Sequence, residues 1–552
     1  MGYRPFQTKL ILFLSFITIS ACSTETTEPI ATTQHAEQHF QPAHGGRIID
    51  ASIGDASNLI PMIAGDGTSH DVAGLLYLAL LKYDSNLNLV GQLAESWVVT
   101  KDNLSITFTL KPNLKWSDGK KFTAQDCLFT LNLIQHKKTQ SPYKSDYTLV
   151  QKAEALDEHT FIVHYAKPFS PALSSWASLA ILPEHIFKHE NIMDTTLSRH
   201  PKASIGPYFL KDWQVQQSIT MQANPNYFDG DVWIDERITR IIPDSATQFL
   251  ELSAGKIDMA SLTPTQYTRL FNHNARLKNE YQRYQYLGSS YTYLGFNLNH
   301  KPFDNILVRQ AIAYAIDRQE LVDGVLLGLG EVLATPYKPG TVWVNKNIKP
   351  RPFNIAKAKA LLAQAGWSQK QGQDYVSKDG QTFTFTILTN NGNKKRADTA
   401  IIIQQRLKDI GIKVQIRLVE WSAFIENFIN KRDFDAVILG WSLSPEPDQY
   451  SIWHSSQTGT RQFNFVGYNN AKVDEALEKA RQTFDTSKRK AWYNIMQEQI
   501  HQDVPIVFLY ADYALPAIHK RIQGIKPAPA GISYNSEKWF IPKALQQTSI
   551  QP

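Results

Sequence analysis

Two cysteines in 552 residues are the strongest constraint on how this chain can fold. Cys22 closes an apolar stretch, Leu10–Ile19, that follows the basic residues Arg4 and Lys9. A run of about 10 apolar residues is too short for a bilayer, which needs roughly 20, and its basic start and small-residue end have the layout of an export signal. With Cys22 at the processing point, Cys127 is left alone in an exported chain. No intramolecular disulfide can then form, and stability has to come from large apolar cores. The setting Asp126-Cys127-Leu128-Phe129 gives that remaining cysteine the role of a small buried hydrophobe. The length exceeds what one core can organise and predicts about three compact units.

Hydrophobic residues make up 43% and charged residues 20%, as in soluble globular proteins, and no apolar run after Ile19 approaches spanning length. The formal charge is +6, and Arg4 and Lys9 leave with the leader. What remains is too weak and too dispersed for a nucleic-acid surface. The densest basic clusters, Lys394-Lys395-Arg396 and Lys488-Arg489-Lys490, sit in polar surroundings and read as solvated faces. Ile19-Ser20-Ala21-Cys22 resembles the bacterial lipoprotein box, in which the cysteine is acylated and becomes the first residue of the mature chain. That resemblance makes residues 1–21 a lipoprotein signal peptide and Cys22 a membrane anchor. Residues 22–46 are polar, rich in Thr, Gln and His, and read as a flexible tether.

Beyond the tether, β-patterned runs and helical patterns alternate irregularly. Arg47–Ala51, Ser105–Lys111 and Phe161–Tyr165 have the period-two pattern of strands, and Val72–Leu81 is a helix-like apolar run. Thr123 caps a helix through Gln135, and Asp304 caps a long helix over Ile306–Leu327. Phe353–Ala365 is a further helix, stopped by Gly366. Gln381–Thr389, the helix Arg396–Ile410 and Lys413–Leu418 form a β-α-β unit, which predicts an α/β fold with helices packed on an open sheet.

A collinear set of short words then appears. Leu93-Ala94-Glu95-Ser96-Trp97, Phe108-Thr109-Leu110 and the block from Trp116-Ser117-Asp118-Gly119 to Asp126 are followed by Ile205-Gly206-Pro207-Tyr208, Asn224-Pro225-Asn226-Tyr227-Phe228, Ala254-Gly255-Lys256-Ile257-Asp258, Leu294-Gly295-Phe296-Asn297, Val308–Arg318 and Gly440-Trp441. From about residue 47 to 540 the chain resembles the bacterial extracellular solute-binding proteins of family 5, which include the oligopeptide- and dipeptide-binding proteins of ABC importers. The resemblance implies an α/β, two-lobe, type II periplasmic-binding-protein-like fold that closes on its ligand. On this pattern lobe I comprises residues 45–85, 200–290 and 506–545, an inserted subdomain spans 86–199, and lobe II spans 291–505. It also implies a monomer, exported to the periplasm or cell surface, whose partners are a peptide, a permease and ATPase complex, and the membrane that holds its lipid.

The same resemblance places the ligand against Gly440-Trp441-Ser442-Leu443. A bare glycine in a strand lets a peptide backbone approach, and an indole supplies an apolar wall with one N–H donor. In peptide-binding members an aspartate a few residues later receives the peptide's α-amino group, because a buried ammonium needs a carboxylate. Here the spacing is one residue shorter: Leu443 or Ser444 falls nearest that place, and Glu446 and Asp448 follow in a proline-stiffened loop. Asn58 lies in the loop expected to edge the cleft, and Tyr293 and Asn297 fall near the first crossing between lobes.

The rival class is an enzyme, and the chain has no Gly-x-Ser-x-Gly, no His-Glu-x-x-His and no Cys-x-x-Cys. Gly255-Lys256 lacks the upstream glycine of a phosphate loop, where Leu250 stands. Asp84, Asn86, Asn88 and Glu95 have calcium-loop spacing, but Leu89 occupies the position that needs glycine. His35, His39 and His44 are scattered in the tether. The expectation is a binding protein with no cofactor and no metal. Nickel-chelate, haem, sugar or opine ligands, or an adhesin or regulatory role without transport, are the alternatives that the fold leaves open.

Overall fold

The computed structural model describes residues 40–546; the leader, Cys22 and most of the tether lie outside them. Two seven-stranded sheets carry the molecule. In the first, Arg47–Ser52 lies parallel to Glu236–Ile241, which continues antiparallel through Ser218–Ala223 to Tyr208–Gln214. On its other side stand Met259–Ser261, Pro516–His519 and Tyr281–Arg283. The second sheet runs from Tyr286–Leu287 through Ile506–Ala514, Ser290–Phe296, Ala436–Ser442 and Thr384–Asn390 to Lys413–Val419, and its seventh strand, Gly330–Val332, also pairs with Ile506–Ala514. A four-stranded antiparallel sheet, Ala94–Val99, Ser105–Leu110, Thr160–Tyr165 and Val150–Ala155, forms within the segment between Arg47–Ser52 and Tyr208–Gln214.

The local rules explain most of these elements. Thr123 and Asp126 form a reciprocal capping box that starts the helix Ala124–Gln135, and Cys127 is fully buried on its inner face. The helix Lys394–Lys408 crosses between Thr384–Asn390 and Lys413–Val419, which pair in parallel as a β-α-β unit requires. Alternation splits the second sheet's apolar residues between its two faces. Leu294, Phe296, Ala436 and Ile438 pack in one core, while Tyr291, Tyr293, Val437 and Leu439 pack in another.

Three expectations shift. The long helix predicted over 306–327 is two helices, Ile306–Ala315 and Arg318–Gly324. Asp317 breaks it, because its carboxylate accepts the N–H groups of Gln319 and Glu320 and starts a new helix after an extended Ile316. The first helix begins earlier than its apolar run suggests, at Gly67, where Asp66 caps it, and it ends at Leu76. The return to lobe I also falls later than residue 506: Ile506–Ala514 pairs with Ser290–Phe296 in the second sheet, and the chain re-enters the first only at Pro516. Two antiparallel strand pairs therefore link the sheets side by side. Tyr281–Arg283 pairs with Ala517–His519 in one, and Tyr286–Leu287 with Tyr513–Ala514 in the other.

Candidate functional site

Between the two sheets lies a cavity of about 860 Å³. Residues 50–53 and the helix Gly67–Leu76 contribute Asp50, Thr68, His70 and Asp71 to its wall, and the loop at Gly392–Lys395 closes it from the second sheet. A smaller cavity of about 240 Å³ adjoins it and shares Asn393 and Lys395. The lobes touch around both. Gly392, at φ +83°, lies so close to the carbonyl of Pro243 that a Cβ would collide with it. A Cβ on Gly54 would lie 2.6 Å from the Trp421 ring, and the Trp421 indole N–H points at Asp66 Oδ1, 3.4 Å away. Tyr143 meets Phe463 edge to face at 5.3 Å.

Gly440, Trp441 and Ser442 line the smaller cavity. Their strand pairs with Ser290–Phe296 along its whole length, but with Thr384–Asn390 only at Ala436 and Val437. Beyond Val437 that second edge carries no strand partner among the described residues. Arg396 occupies the flank: its guanidinium would sit 3.0 Å from a Cβ on Gly440, donates to Asn390 Oδ1 at 2.9 Å, and lies over the Trp421 ring. Burial lowers its pKa below the usual guanidinium range. Trp441 stacks on Tyr293 at 6.4 Å and meets Phe463 edge-on at 5.1 Å, so one face of the indole is held by aromatic rings.

The acidic loop that follows is engaged with arginines. Asp448 Oδ2 accepts from the Nε and an Nη of Arg481 at 2.9 and 2.6 Å, and the same guanidinium donates to Asp146 at 2.6 Å and to the Ser145 carbonyl at 3.1 Å. The side chains of Asp448 and Arg481 are each 7% exposed. Glu446 pairs with Arg489 and accepts from Ser174 Oγ at 3.2 Å. Asp146 and Ser174 belong to the segment that carries the four-stranded sheet, so both carboxylates serve contacts between that segment and the second lobe. Burial raises the Asp146 carboxyl, against the pull of Arg481.

Comparison with known proteins gives this geometry a family. Residues 88–462 match the model of the bacterial extracellular solute-binding proteins, family 5. The oligopeptide-binding protein AppA of Bacillus subtilis is 34% identical over 97% of this chain and 98% of its own length. The chain belongs to family 5. The structure of AppA in complex with a nonapeptide superimposes with a TM-score of 0.87, covering 91% of this chain and all of AppA. NikZ of Campylobacter jejuni, in complex with Ni(L-His), follows at 0.81 with 25% identity, covering 90% of this chain and 99% of its own. DppA of Helicobacter pylori, in complex with the peptide STSA, gives 0.79 at 25% identity, covering 91% and 99%. The fold is the two-lobed α/β fold of type II periplasmic binding proteins.

The structure brings together only part of the residues that the sequence singled out for this family 5 site. Gly440, Trp441 and Ser442 reach a cavity, whereas Leu443 packs on the core and donates its N–H to the Ser289 carbonyl. Glu446 and Asp448 are engaged by Arg489 and Arg481, and neither lines either of these two cavities. Asn58 is buried and turned to the Ile60 N–H at 3.0 Å. Asn297 donates to the carbonyls of Arg432 and Phe434, each at 3.0 Å, and holds its loop. Tyr293 is fully buried behind Trp441, and burial drives its phenol pKa up. The basic clusters read as solvated are not wholly so: Lys395 pairs with Asp512, Arg396 flanks the smaller cavity, and Arg489 is buried against Glu446. The Asp84 loop is a turn, with Oδ1 accepting the N–H groups of Asn86 and Asn88. Asp50, Asp71 and Arg396 were missed. A lone aspartate in an amphipathic helix carries no local mark, and Arg396 was visible only as part of a basic run.

Proposed function

We propose that this chain is the lipid-anchored substrate-binding protein of an ABC importer, which captures a peptide between its two lobes and delivers it to a membrane permease. The observation that carries the reading is the cavity walled by both lobes beside an open strand edge at Gly440–Ser442. An extended peptide can add its backbone to such an edge, and its side chains then fall alternately against Trp441 and into the larger space. At about 860 Å³ the cavity lies at the upper end of the range for enclosed small-ligand sites. Kinship with an oligopeptide-binding protein over nearly the whole chain points the same way.

Capture needs no catalytic group. Each lobe offers half of the contacts, and a ligand that touches both stabilises the closed form. The role is that of an exported monomer without cofactor, held at the membrane by an acyl chain on Cys22 so that closure stays unhindered. Denaturing the purified protein and identifying what it releases by mass spectrometry tests the cargo. Short peptides are expected; a metal chelate or a sugar would overturn the peptide assignment and leave transport standing. Cys22→Ala should release the protein from the membrane fraction, and unchanged membrane association would count against the anchor.

A further inference from the structure

With Glu446 and Asp448 occupied, the carboxylate able to receive a positive charge has to come from elsewhere, and the larger cavity presents one. Asp71 sits on the helix Gly67–Leu76, and the surface it exposes lines that cavity. Among the described residues it makes no hydrogen bond and no ion pair. Its neighbours are acidic: desolvation within the cleft and repulsion from Asp50 and Asp66 together push its carboxyl up to about 6. Asp66 is itself committed, accepting from the Ser69 N–H at 3.0 Å, the Ser69 hydroxyl at 2.6 Å and the Ser57 hydroxyl at 2.5 Å.

A second observation at the same wall is independent of Asp71. Asp50 also lines the cavity, and its Oδ1 is buried with no hydrogen-bond partner. Burial raises its carboxyl, and Arg237 only partly offsets that. Lys82, Lys394 and Lys395 line the same cavity but pair with Asp229, Asp398 and Asp512, so two carboxylates face one space with no ion pair of their own, a costly arrangement. A ligand that brings its own positive charge removes the cost.

Building on the peptide reading, we propose that Asp71, backed by Asp50, is the subsite that receives an ammonium group of the bound peptide, so that the cationic end is held by the first lobe rather than by the loop after Trp441. The ammonium can be the α-amino group or a lysine side chain. The test uses the full chain and three sets of random nonapeptides: free amino termini without lysine, acetylated termini with one lysine, and acetylated termini without lysine. Retained peptides are released by denaturation and quantified by mass spectrometry. The wild type is expected to enrich one of the ammonium-bearing sets at least ten-fold over the neutral set, and the enriched set names the source of the charge. Asp71→Asn should abolish that preference, so that the ammonium-bearing and neutral sets are retained alike. Its unliganded Tm near neutral pH should also rise, because the substitution removes an unpaired charge.

A preference that survives Asp71→Asn overturns the subsite and leaves the peptide reading intact, as does wild-type retention with no preference at all. A fall in the unliganded Tm would make Asp71 structural and count against the subsite. If the wild type retains none of the three sets, the peptide reading itself fails and the subsite fails with it.

Discussion

Two pairs of carboxylates stand in different parts of this molecule, and their surroundings are opposite. Glu446 and Asp448 follow the Gly-Trp strand, and each is gripped by an arginine. Asp50 and Asp71 face the cavity from the first lobe; Asp71 has no ion pair, and Asp50 leaves one oxygen without a partner. Charge satisfaction separates the two roles. Asp448 also leaves Oδ1 without a hydrogen bond, but its charge is met by Arg481, and a carboxylate that already holds a guanidinium contributes to architecture. One that closure leaves uncompensated is destabilising until something cationic arrives, as expected where stability has been traded for binding.

The contrast breaks most forcefully at Arg481. Replacing it with methionine removes the partner shared by Asp448 and Asp146 while keeping much of the apolar stem. The buried Asp448 and the half-buried Asp146 would then stand without their cation, and loss of one member of a buried ion pair costs about 3–5 kcal/mol. Denaturant titration should show that loss as a lower midpoint. A change below about 1 kcal/mol, the range of exposed ion pairs, would mean that the loop carboxylates are no better satisfied than Asp71 and would erase the distinction.

The lobes meet at Gly392, and that residue offers a way to hold them apart. An alanine there would be strained at φ +83° and would push its Cβ into the Pro243 carbonyl of the opposite lobe. Gly392→Ala should lower peptide affinity by about ten-fold, equivalent to 1.4 kcal/mol, through a smaller closed population. Small-angle scattering on the liganded protein should show a larger radius of gyration than wild type. Unaltered affinity and radius would mean that the loop yields locally and that Gly392 does not gate closure.

Much of the fold was legible because its signals are local. Period-two alternation marked Ser105–Leu110 and Thr160–Tyr165, Thr123 announced its helix, and the β-α-β unit around Lys394–Lys408 followed from pattern and length. Failures came where two local signals competed, as at Asp317, or where a strand's sheet depended on a distant partner, as with Ile506–Ala514. The site was less legible for the same reason. Gly440 and Trp441 could be read from a motif, but the fate of Asp448 is decided by Asp146 and Arg481, which lie far from it in sequence. Asp71 has no motif at all. Its significance lies in the lack of an ion pair at its carboxylate although Lys82, Lys394 and Lys395 line the same cavity, and only the packed structure can show that.

The prediction that most sharpens the comparison is the pH dependence of Asp71. Its carboxyl rises from 3.8 to about 6 in the folded protein, so folding favours the protonated form. The ionised carboxylate therefore costs native stability above pH 6, and that cost fades as the pH falls through 6 towards 4. Asp50 and Asp66 face the group, and His70 on the same helix has its pKa lowered by burial and stays neutral further into the acid range. Subtracting the Asp71→Asn variant isolates the titration from these neighbours. The Tm advantage of the variant over wild type should be greatest between pH 7 and 8 and close by about pH 4. Affinity for an ammonium-bearing peptide should move the other way, weakening in the wild type by up to ten-fold per pH unit below 6, because the carboxylate must be ionised to hold the cation. A gap in Tm that is flat across this range, or that favours the wild type, would show that Asp71 is compensated in the folded protein after all, and the two pairs of carboxylates would no longer differ in kind.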